Sequence, residues 1–515
     1  MSSISLDGNS LTVEQIVEVA RRGTEVKLSP EAQVKVQASR RVVEKLLEQG
    51  KPVYGLTTGF GALSGTRITP EDSKVLQRNL IRSHSAGVGQ PSEAEVVRAT
   101  MLLRANTLAK GYSGIRLETL NTLIHMINHR VHPIIPEKGS VGASGDLVPL
   151  AHMAAVLTGE GEAEYQGALM NGGEAMKSAG LTPVELTAKE GLALVNGTEF
   201  SKAIAILALN DGELLVANAE IASAMTLESL HGHSEALDEQ LHKVRPHEGQ
   251  LLTARNLRRI LSNSDLVLQK GAAEDTTVHD PYSIRCIPQV VGAVRDALRY
   301  VRGTLLVEVN SATDNPLVFS EDEACLSGGN FHGQSIAIAS DVLGIAMASV
   351  GNIAERRIAR LMDPKLNQGL PAFLISGAGR EGLNSGFMMA HVVAASLTSE
   401  NKVLAHPASV DSLPTSANFE DHVSMSASAA QKAREIVGNV EKIVAIEFLC
   451  ASQALDMRGG RNLGTGTKAA HQTIRAKIGP LTSDREISHD IEAVSSMIRR
   501  RDIFDAVEAA IGQLE

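Results

Sequence analysis

Apolar side chains recur at helical spacing along most of the chain. After Ser29, apolar residues three and four positions apart form one continuous face, as in an amphipathic helix. The pair Ser29-Pro30 is typical of a helix start, with serine as N-cap and proline at the first helical position, and Gly50 is a typical end. Residues 12–15 (TVEQ) have the spacing of a capping box, and Gly23 is placed to end that helix. The N-terminal region therefore predicts amphipathic helices.

The second half of the chain has longer apolar segments. Residues 333–362, 385–405 and 422–455 carry apolar side chains on nearly every helical face. A helix that is apolar all round is buried in a large core or in a subunit interface. Two earlier segments, residues 52–66 and 133–149, are instead rich in Gly, Thr, Ser and Pro and predict loops. Loops held by a rigid scaffold are where catalytic residues usually lie.

Composition strengthens the helical prediction. Of the 515 residues, 43% are hydrophobic but only 3% are aromatic, and there is no Trp. The apolar content is therefore aliphatic, and Ala and Leu favour helices while aromatic residues favour strands. We expect a mostly α protein with an N-terminal, loop-rich domain over residues 1–200. A long central helical bundle and C-terminal helices follow over residues 201–515.

Charge and cysteine content exclude several classes of protein. The formal net charge is −10, and the densest basic run, residues 499–501, is followed by Asp502, so no nucleic-acid partner is expected. Cys286, Cys325 and Cys450 have neither disulfide-framework nor zinc-site spacing. The polar N-terminus and the lack of 18 consecutive apolar residues predict a cytoplasmic protein without a membrane partner.

The tripeptide Ala143-Ser144-Gly145 offers unusual chemistry. Attack of the Gly145 nitrogen on the Ala143 carbonyl closes a five-membered ring, and dehydration at Ser144 adds an exocyclic methylidene group. The product, 4-methylidene-imidazol-5-one (MIO), is an electrophile made from the chain itself. Small residues are needed because the backbone approach leaves no room for branched side chains. Alone, the tripeptide is more often a turn.

Five motifs occur together in this chain. They are YGLTTGFG at 54–61, GSVGASGDL at 139–147, DPYSIR at 280–285, DNPL at 314–317 and HPASVDS at 406–412. In this combination and order the chain resembles the aromatic amino acid ammonia-lyase family, and its histidine branch most closely. The resemblance extends from about residue 54 to residue 460. It implies the helical bundle of the fumarase and ammonia-lyase type.

The resemblance implies a reaction and a set of site residues. Such enzymes remove ammonia and a β-proton from an aromatic L-amino acid, using MIO formed here from residues 143–145 and no external cofactor or metal. Tyr54 matches the catalytic base on a mobile loop, and Asn196 and Tyr282 match residues around the electrophile. Arg285 matches the partner of the substrate carboxylate, for which a forked guanidinium is suited. Phe331 matches a residue that lines the site. Taken singly, Arg285, Tyr282 and Asn196 each have an ordinary structural alternative.

Two positions indicate the substrate. His84, after Ser83, and Glu420 match the histidine branch, and a carboxylate there accepts a hydrogen bond from an imidazole but lies unpaired beside a phenyl ring. The hypothesis is therefore conversion of L-histidine to trans-urocanate. His279 and Phe419 stand where that branch usually has glutamine, which leaves the exact aromatic substrate open.

Several other functions remain open at this point. A phenylalanine or tyrosine ammonia-lyase and a 2,3-aminomutase would share these motifs. A fumarase-like lyase shares the architecture, but its usual Gly-Ser-Ser-x-Met-Pro loop does not occur in the sequence. A non-enzymatic helical scaffold is the alternative of a different class. The apolar helices imply a homo-oligomer, and the resemblance implies a homotetramer with shared active sites.

Overall fold

The computed structural model describes residues 3–49, 53–59, 61, 65–69, 72–269, 279–375, 382–459 and 461–515. Helices dominate it, which confirms the prediction of a mostly α fold. In chain order the α-helices are α1 (Val13–Val17), α2 (Pro30–Glu48), α3 (Ser73–His84), α4 (Ala94–Ala109), α5 (Leu117–Asn128), α6 (Leu147–Leu157), α7 (Gly172–Ser178), α8 (Glu190–Val195), α9 (Glu199–Ser229), α10 (Glu239–Lys243), α11 (Glu248–Ile260), α12 (Tyr282–Arg285), α13 (Ile287–Val309), α14 (Gln334–Met362), α15 (Met388–Leu404), α16 (Ser426–Arg458), α17 (Thr465–Arg475), α18 (Ile487–Arg499) and α19 (Asp502–Ile511).

The strands are short and form small sheets. They are β1 (Ile4–Leu6), β2 (Val26–Leu28), β3 (Val88–Pro91), β4 (His132–Pro133), β5 (Pro136–Lys138), β6 (Glu162–Tyr165), β7 (Ala168–Asn171), β8 (Leu317–Phe319) and β9 (Ala324–Leu326). β1 pairs with β2 in parallel, with Ile4 opposite Val26. β3–β5, β4–β6–β7 and β8–β9 are antiparallel.

The predicted helix starts are confirmed by their hydrogen bonds. The Thr12 side chain accepts a bond from the Gln15 backbone N–H, and the Gln15 side chain accepts one from the Thr12 N–H, which completes the capping box before α1. The Ser29 hydroxyl accepts a bond from the Ala32 N–H, 3.1 Å away, and caps α2. A π-helical turn, Glu18–Arg22, follows α1 and ends at Gly23, whose φ of 76° is left-handed.

The first compact unit comprises residues 1–210, 302–341 and 407–431. The strands of the described residues all belong to it. Its core contains α4, which is buried from Val96 to Ala109, together with α6 and α8. Charged residues are buried there too: Lys189 contacts Asp314 at 2.6 Å, and both side chains are almost fully excluded from solvent. Burial lowers the pKa of the Lys189 ammonium, and the charge of Asp314 opposes that shift.

The second compact unit comprises residues 211–301, 342–406 and 432–515. Its core combines aliphatic side chains with a fully buried ion pair between Arg357 and Glu447, at 2.5 Å. The Thr226 hydroxyl donates a further hydrogen bond to that carboxylate, 2.9 Å away. The predicted domain boundary at residue 200 stays a prediction.

Helix α14 covers the apolar segment predicted over residues 333–362. Among the described residues it alone is long and apolar enough to cross a membrane, and 72% of its apolar window is buried inside the protein. Burial of this kind is typical of the core helix of a globular protein. Ile338 and Ile345 on α14 are nevertheless exposed, by 41% and 46%.

Candidate functional site

A cavity of about 730 Å³ in the first unit brings together most of the predicted site residues. Among the residues that line it are Tyr54, His84, Ala143, Ser144, Asn196, Phe331, Phe419 and Glu420. They come from the loop after α2, the end of α3, the loop before α6, the end of α8 and the segments before α14 and α16. Residues far apart in sequence therefore converge on one space of ligand size.

The Ala143-Ser144-Gly145 tripeptide lies in a tight backbone turn before α6. Gly145 has φ of 69°, and a Cβ atom there would overlap the carbonyl of Gly197. The Asp146 N–H donates a hydrogen bond to that same carbonyl at 2.6 Å. A side chain at position 145 would therefore force two backbone segments apart, so glycine is required.

Asn196 ends α8 directly opposite the tripeptide. Its Nδ2 donates hydrogen bonds to the Ser144 carbonyl oxygen at 2.9 Å and to the Ser144 hydroxyl at 3.1 Å. Asn196 is only 2% exposed, so the protein interior holds its amide in place. The amide thus points its donors at the residue whose dehydration would give the electrophile.

A buried ionic cluster holds the backbone of Asn196. Arg104 on α4 donates from Nη1 to the Asn196 carbonyl at 3.0 Å and pairs with Glu199 at 2.9 Å, and both side chains are fully buried. Burial alone would raise the pKa of Glu199, but the charges of Arg104 and Lys202 and a hydrogen bond from Thr313 lower it to about 2. Glu199 is therefore ionised at neutral pH and keeps Arg104 in place.

Asp146 anchors the other side of the tripeptide. Its carboxylate is fully buried and accepts hydrogen bonds from the Ser140 hydroxyl at 2.6 Å and from the Ser201 N–H and hydroxyl, both at 2.7 Å. Burial raises the pKa of Asp146, and the three donors oppose that shift. The Ser140 hydroxyl also accepts a bond from the Gly142 N–H at 3.2 Å. The loop is thus held on both flanks of Ser144.

Tyr54 lies in a turn that is anchored to the core of the first unit. Leu56, 2% exposed, packs with Val42, Val43, Ala188 and Val318. The Thr57 hydroxyl accepts a hydrogen bond from the Val53 N–H at 2.8 Å. The Tyr54 hydroxyl accepts one from the Gly61 N–H at 3.1 Å. Phe60 and residues 62–64 of the same loop lie outside the described residues.

One part of the cavity carries polar groups suited to a heteroaromatic ring. His84 is the last residue of α3, and its Nδ1 lies 3.0 Å from the Ser83 hydroxyl. Burial lowers the pKa of His84, while a backbone hydrogen bond to Leu80 and the charge of Glu420 act in the opposite direction. Glu420 lines the same cavity, with the aromatic rings of Phe331 and Phe419.

Three predicted site residues lie elsewhere, in the second unit. His279, Tyr282 and Arg285 line a different cavity of about 480 Å³. Tyr282 begins α12 and is 71% exposed, and the Arg285 guanidinium carbon lies 4.8 Å from the centre of the Tyr282 ring. Within one chain, the cavity of the first unit is therefore lined without these three residues.

A comparison with known protein families agrees with the motifs. Residues 11–476 match the family model described as aromatic amino acid lyase. The chain belongs to the aromatic amino acid lyase family. As a member of it, the protein is a carbon–nitrogen lyase.

Relatives in this family cover the whole chain. The histidine ammonia-lyase of Alkaliphilus oremlandii is 53% identical over 511 residues, which is 99% of each chain. The crystal structure of histidine ammonia-lyase from Trypanosoma cruzi is similar with a TM-score of 0.92 and 41% identity, covering 99% of this chain and 96% of that one. Tyrosine aminomutase from Streptomyces globisporus is similar with a TM-score of 0.94 and 38% identity, covering both chains fully.

The motifs did not identify the buried residues whose hydrogen bonds hold the residues of this lyase site in place. Arg104 and Glu199 lie in ordinary helical sequence, and only their burial reveals the role. Ser201 is equally inconspicuous. Asp146 lies directly after Gly145 in the GSVGASGDL motif, so its position was a usable signal. A helical pattern predicts that charged residues face solvent, so it does not predict a buried ion pair.

Proposed function

We propose that this aromatic amino acid lyase is a histidine ammonia-lyase that converts L-histidine to trans-urocanate and ammonia. The observation that carries the proposal is that His84 and Glu420 line the same cavity as Ser144. Both side chains can form hydrogen bonds with the ring nitrogens of histidine, whereas a phenyl ring offers them no hydrogen-bonding group. The relatives named histidine ammonia-lyase support the same substrate.

We propose further that Ala143, Ser144 and Gly145 cyclise to MIO in this chain. The family is MIO-dependent. Three features of the backbone turn are consistent with ring closure. They are the left-handed φ of Gly145, its close approach to Gly197 and the two hydrogen bonds from Asn196. When formed, the group supplies an electrophile that captures the substrate amine. Intact mass should then be lower than the sequence mass by two waters, and the full unmodified mass would overturn this proposal.

The side chains of the cavity have separate roles in this proposal. Tyr54 removes the β-proton, a role supported by its position in the lining of the cavity that contains Ser144. Asn196 donates to the Ser144 carbonyl and stabilises negative charge that develops on it. Phe331 and Phe419 pack against the substrate ring and exclude water. Because Phe419 replaces a glutamine, this wall is more apolar than in the usual histidine pattern.

We propose that the working enzyme is a cytoplasmic homotetramer with shared active sites. Arg285, which would pair with the substrate carboxylate, and Tyr282 lie in a different cavity of the chain from Ser144. In a shared site, Tyr282 and Arg285 of the partner subunit would complete the cavity. Exposed apolar side chains on α14 and α15 support association: Ile345, Met389, Val392, Val393 and Val403.

Two experiments test the assembly. Light scattering should give four times the chain mass of 54.6 kDa. Co-expression of Ser144→Ala and Arg285→Ala chains, each inactive alone, should restore part of the activity, because mixed tetramers contain some sites with both residues intact. A monomer in solution, or no restoration in verified mixed tetramers, would overturn shared sites.

The substrate is tested with a panel of amino acids on the purified protein. L-Histidine should give the ultraviolet absorbance of a conjugated acrylate, together with ammonia. Because the chain is also similar to tyrosine aminomutase, the products should be searched by mass spectrometry for β-amino acids, which an aminomutase would form. Turnover of tyrosine or phenylalanine without turnover of histidine, or a β-amino acid as the main product, would overturn the proposed function.

A further inference from the structure

The contacts of Ser83 favour one position for the ring proton of His84. The Ser83 hydroxyl lies 3.1 Å from the Leu80 carbonyl oxygen and 3.0 Å from His84 Nδ1. A hydroxyl has one proton to donate, and a carbonyl oxygen can only accept. Both contacts are satisfied when Ser83 donates to Leu80 and His84 Nδ1–H donates to Ser83. His84 Nε2 then carries a lone pair and accepts hydrogen bonds.

Glu420 is held as a second acceptor. Its Oε2 accepts hydrogen bonds from the Thr415 hydroxyl at 2.7 Å and from the Ser416 hydroxyl at 2.8 Å. Ser416 adopts φ of 52°, so the turn that aims its hydroxyl at Glu420 is in the left-handed region. Among the residues that the structure describes, none donates a hydrogen bond to Oε1. A carboxylate oxygen without a protein donor can accept a hydrogen bond from a ligand.

His84 and Glu420 therefore present two acceptors to the same cavity. The other titratable side chains that line it are Tyr54, His332, Asp421 and His422. The His422 and His332 rings stack on each other 5.6 Å apart, and the Ser412 hydroxyl lies 3.2 Å from His422 Nδ1. A neutral imidazole has one N–H donor and one acceptor nitrogen, so it satisfies only one of the two acceptors. An imidazolium ring has two N–H donors and satisfies both.

We propose that the cavity binds the substrate ring as its imidazolium form, and that Ser83 is a positioning residue that holds His84 as an acceptor. The inference rests on the proposed function and specifies the protonation state of the substrate. At a pH above the pKa of the free ring, the substrate ring gains one proton from solvent as it binds. This proton returns to solvent when the product leaves. A cationic ring withdraws electrons from the adjacent β-carbon, so the β-proton that the base removes becomes more acidic.

The protonation state can be measured with an unreactive ligand. We would use 3-(imidazol-4-yl)propanoate, which lacks the amine, on the full-length protein near pH 8, above the ordinary imidazole pKa of about 6.5. Calorimetry in two buffers of different ionisation enthalpy should show uptake of about one proton per site, as the ring changes from neutral to cationic. The control ligand 3-phenylpropanoate has the same carboxylate without ring nitrogens and should show none. No proton uptake with the imidazole ligand would overturn the proposal.

Nitrogen NMR then locates the proton. With a ligand labelled with ¹⁵N in the ring, both bound nitrogens should have shifts of the protonated type. One nitrogen of the unprotonated type would show that the proton went to a protein group, and this would overturn the proposal. Failure of the proposed function is recognised separately, because wild-type protein would then form no urocanate from L-histidine.

Ser83 is tested by substitution with a neighbouring serine as control. Ser83→Ala should raise the KM for L-histidine about three- to tenfold, the effect of one lost hydrogen bond, with a smaller change in kcat. Ser83→Thr keeps the hydroxyl and should restore the KM. Ser85 also donates to a helix carbonyl, that of Ile81 at 2.9 Å. Ser85→Ala should leave the KM unchanged. Equal effects of both alanine variants, or no effect of Ser83→Ala, would overturn the role of Ser83.

Discussion

Asn196 donates two hydrogen bonds from one nitrogen to Ser144, at 2.9 Å to the carbonyl oxygen and at 3.1 Å to the hydroxyl. The two residues are far apart in sequence, and the backbone bridge between Gly145 and Gly197 brings them together. Because Asn196 is almost fully buried, these donors are preorganised and need not be stripped of water during the reaction.

Removal of the amide should therefore impair catalysis more than folding. We expect Asn196→Ala to lower kcat about 100- to 1000-fold, the usual effect of losing one preorganised donor. Steady-state kinetics give the rate, and intact mass shows whether two waters are still lost. Asn196→Asp, which has a similar size but a carboxylate in place of the donor, should not restore activity. A rate close to that of the wild type in Asn196→Ala would contradict this interpretation of the contact.

Gly145 should tolerate no side chain. In Gly145→Ala the new Cβ would overlap the Gly197 carbonyl, so we expect the turn to open and ring closure to fail. Intact mass should then equal the sequence mass, and activity should be absent. Gly180 is the matched control, since it also has a positive φ, of 73°, but no atom lies within 4 Å of the Cβ position. Gly180→Ala should cost only about 1–2 kcal/mol of backbone strain and retain the ring.

The buried ionic cluster behind Asn196 should contribute strongly to stability. Glu199→Gln leaves Arg104 and Lys202 without their buried charge partner, and we expect a loss of about 3–5 kcal/mol in the free energy of unfolding. Thermal unfolding at fixed protein concentration measures it. Glu18→Gln is the control, because the ion pair between Glu18 and Arg22 is exposed and should be worth less than about 1 kcal/mol. Equal melting temperatures of the two variants would contradict the prediction.

The same carboxylate predicts a pH dependence. The charges of Arg104 and Lys202 overcome burial and lower the pKa of Glu199 from 4.5 to about 2. A lowered pKa means that the stabilisation is fully present above the unfolded value of 4.5 and is lost as the pH falls towards 2. The difference in melting temperature between wild type and Glu199→Gln should stay constant between neutral pH and about pH 5 and narrow below it. A melting-temperature difference that widens on acidification would contradict the lowered pKa of Glu199.

Glu420 should control the choice of substrate. Glu420→Gln replaces a charged acceptor with a neutral amide of similar shape, and we expect kcat/KM for L-histidine to fall about 10- to 100-fold, the effect of a hydrogen bond to a charged group. Thr415→Val removes one of the hydroxyls that hold Glu420 and should have a smaller effect in the same direction. Thr415→Ser keeps that hydroxyl and serves as the control. Unchanged kinetics with L-histidine in Glu420→Gln would exclude Glu420 from substrate binding.

Much of the local structure could be predicted from the sequence. The capping box at Thr12, the N-cap at Ser29 and the apolar segments that became α14, α15 and α16 all depend on contacts within a few residues. The requirement for glycine at position 145 was also visible in the motif. The cavity contains eight of the predicted site residues, which the family resemblance implied as one set.

Other features depended on long-range packing. Periodicity indicates that a face is buried but not which element buries it, so the ion pair of Arg104 with Glu199 had no signal in the sequence. Nor did sequence spacing indicate that Arg285 and Ser144 would line different cavities of one chain. The sequence by itself determined the helices and the reactive tripeptide, since hydrogen bonds and steric limits between near neighbours specify both. Only the tertiary structure decided which donors, acceptors and buried charges surround that tripeptide, because those contacts join residues brought together by folding.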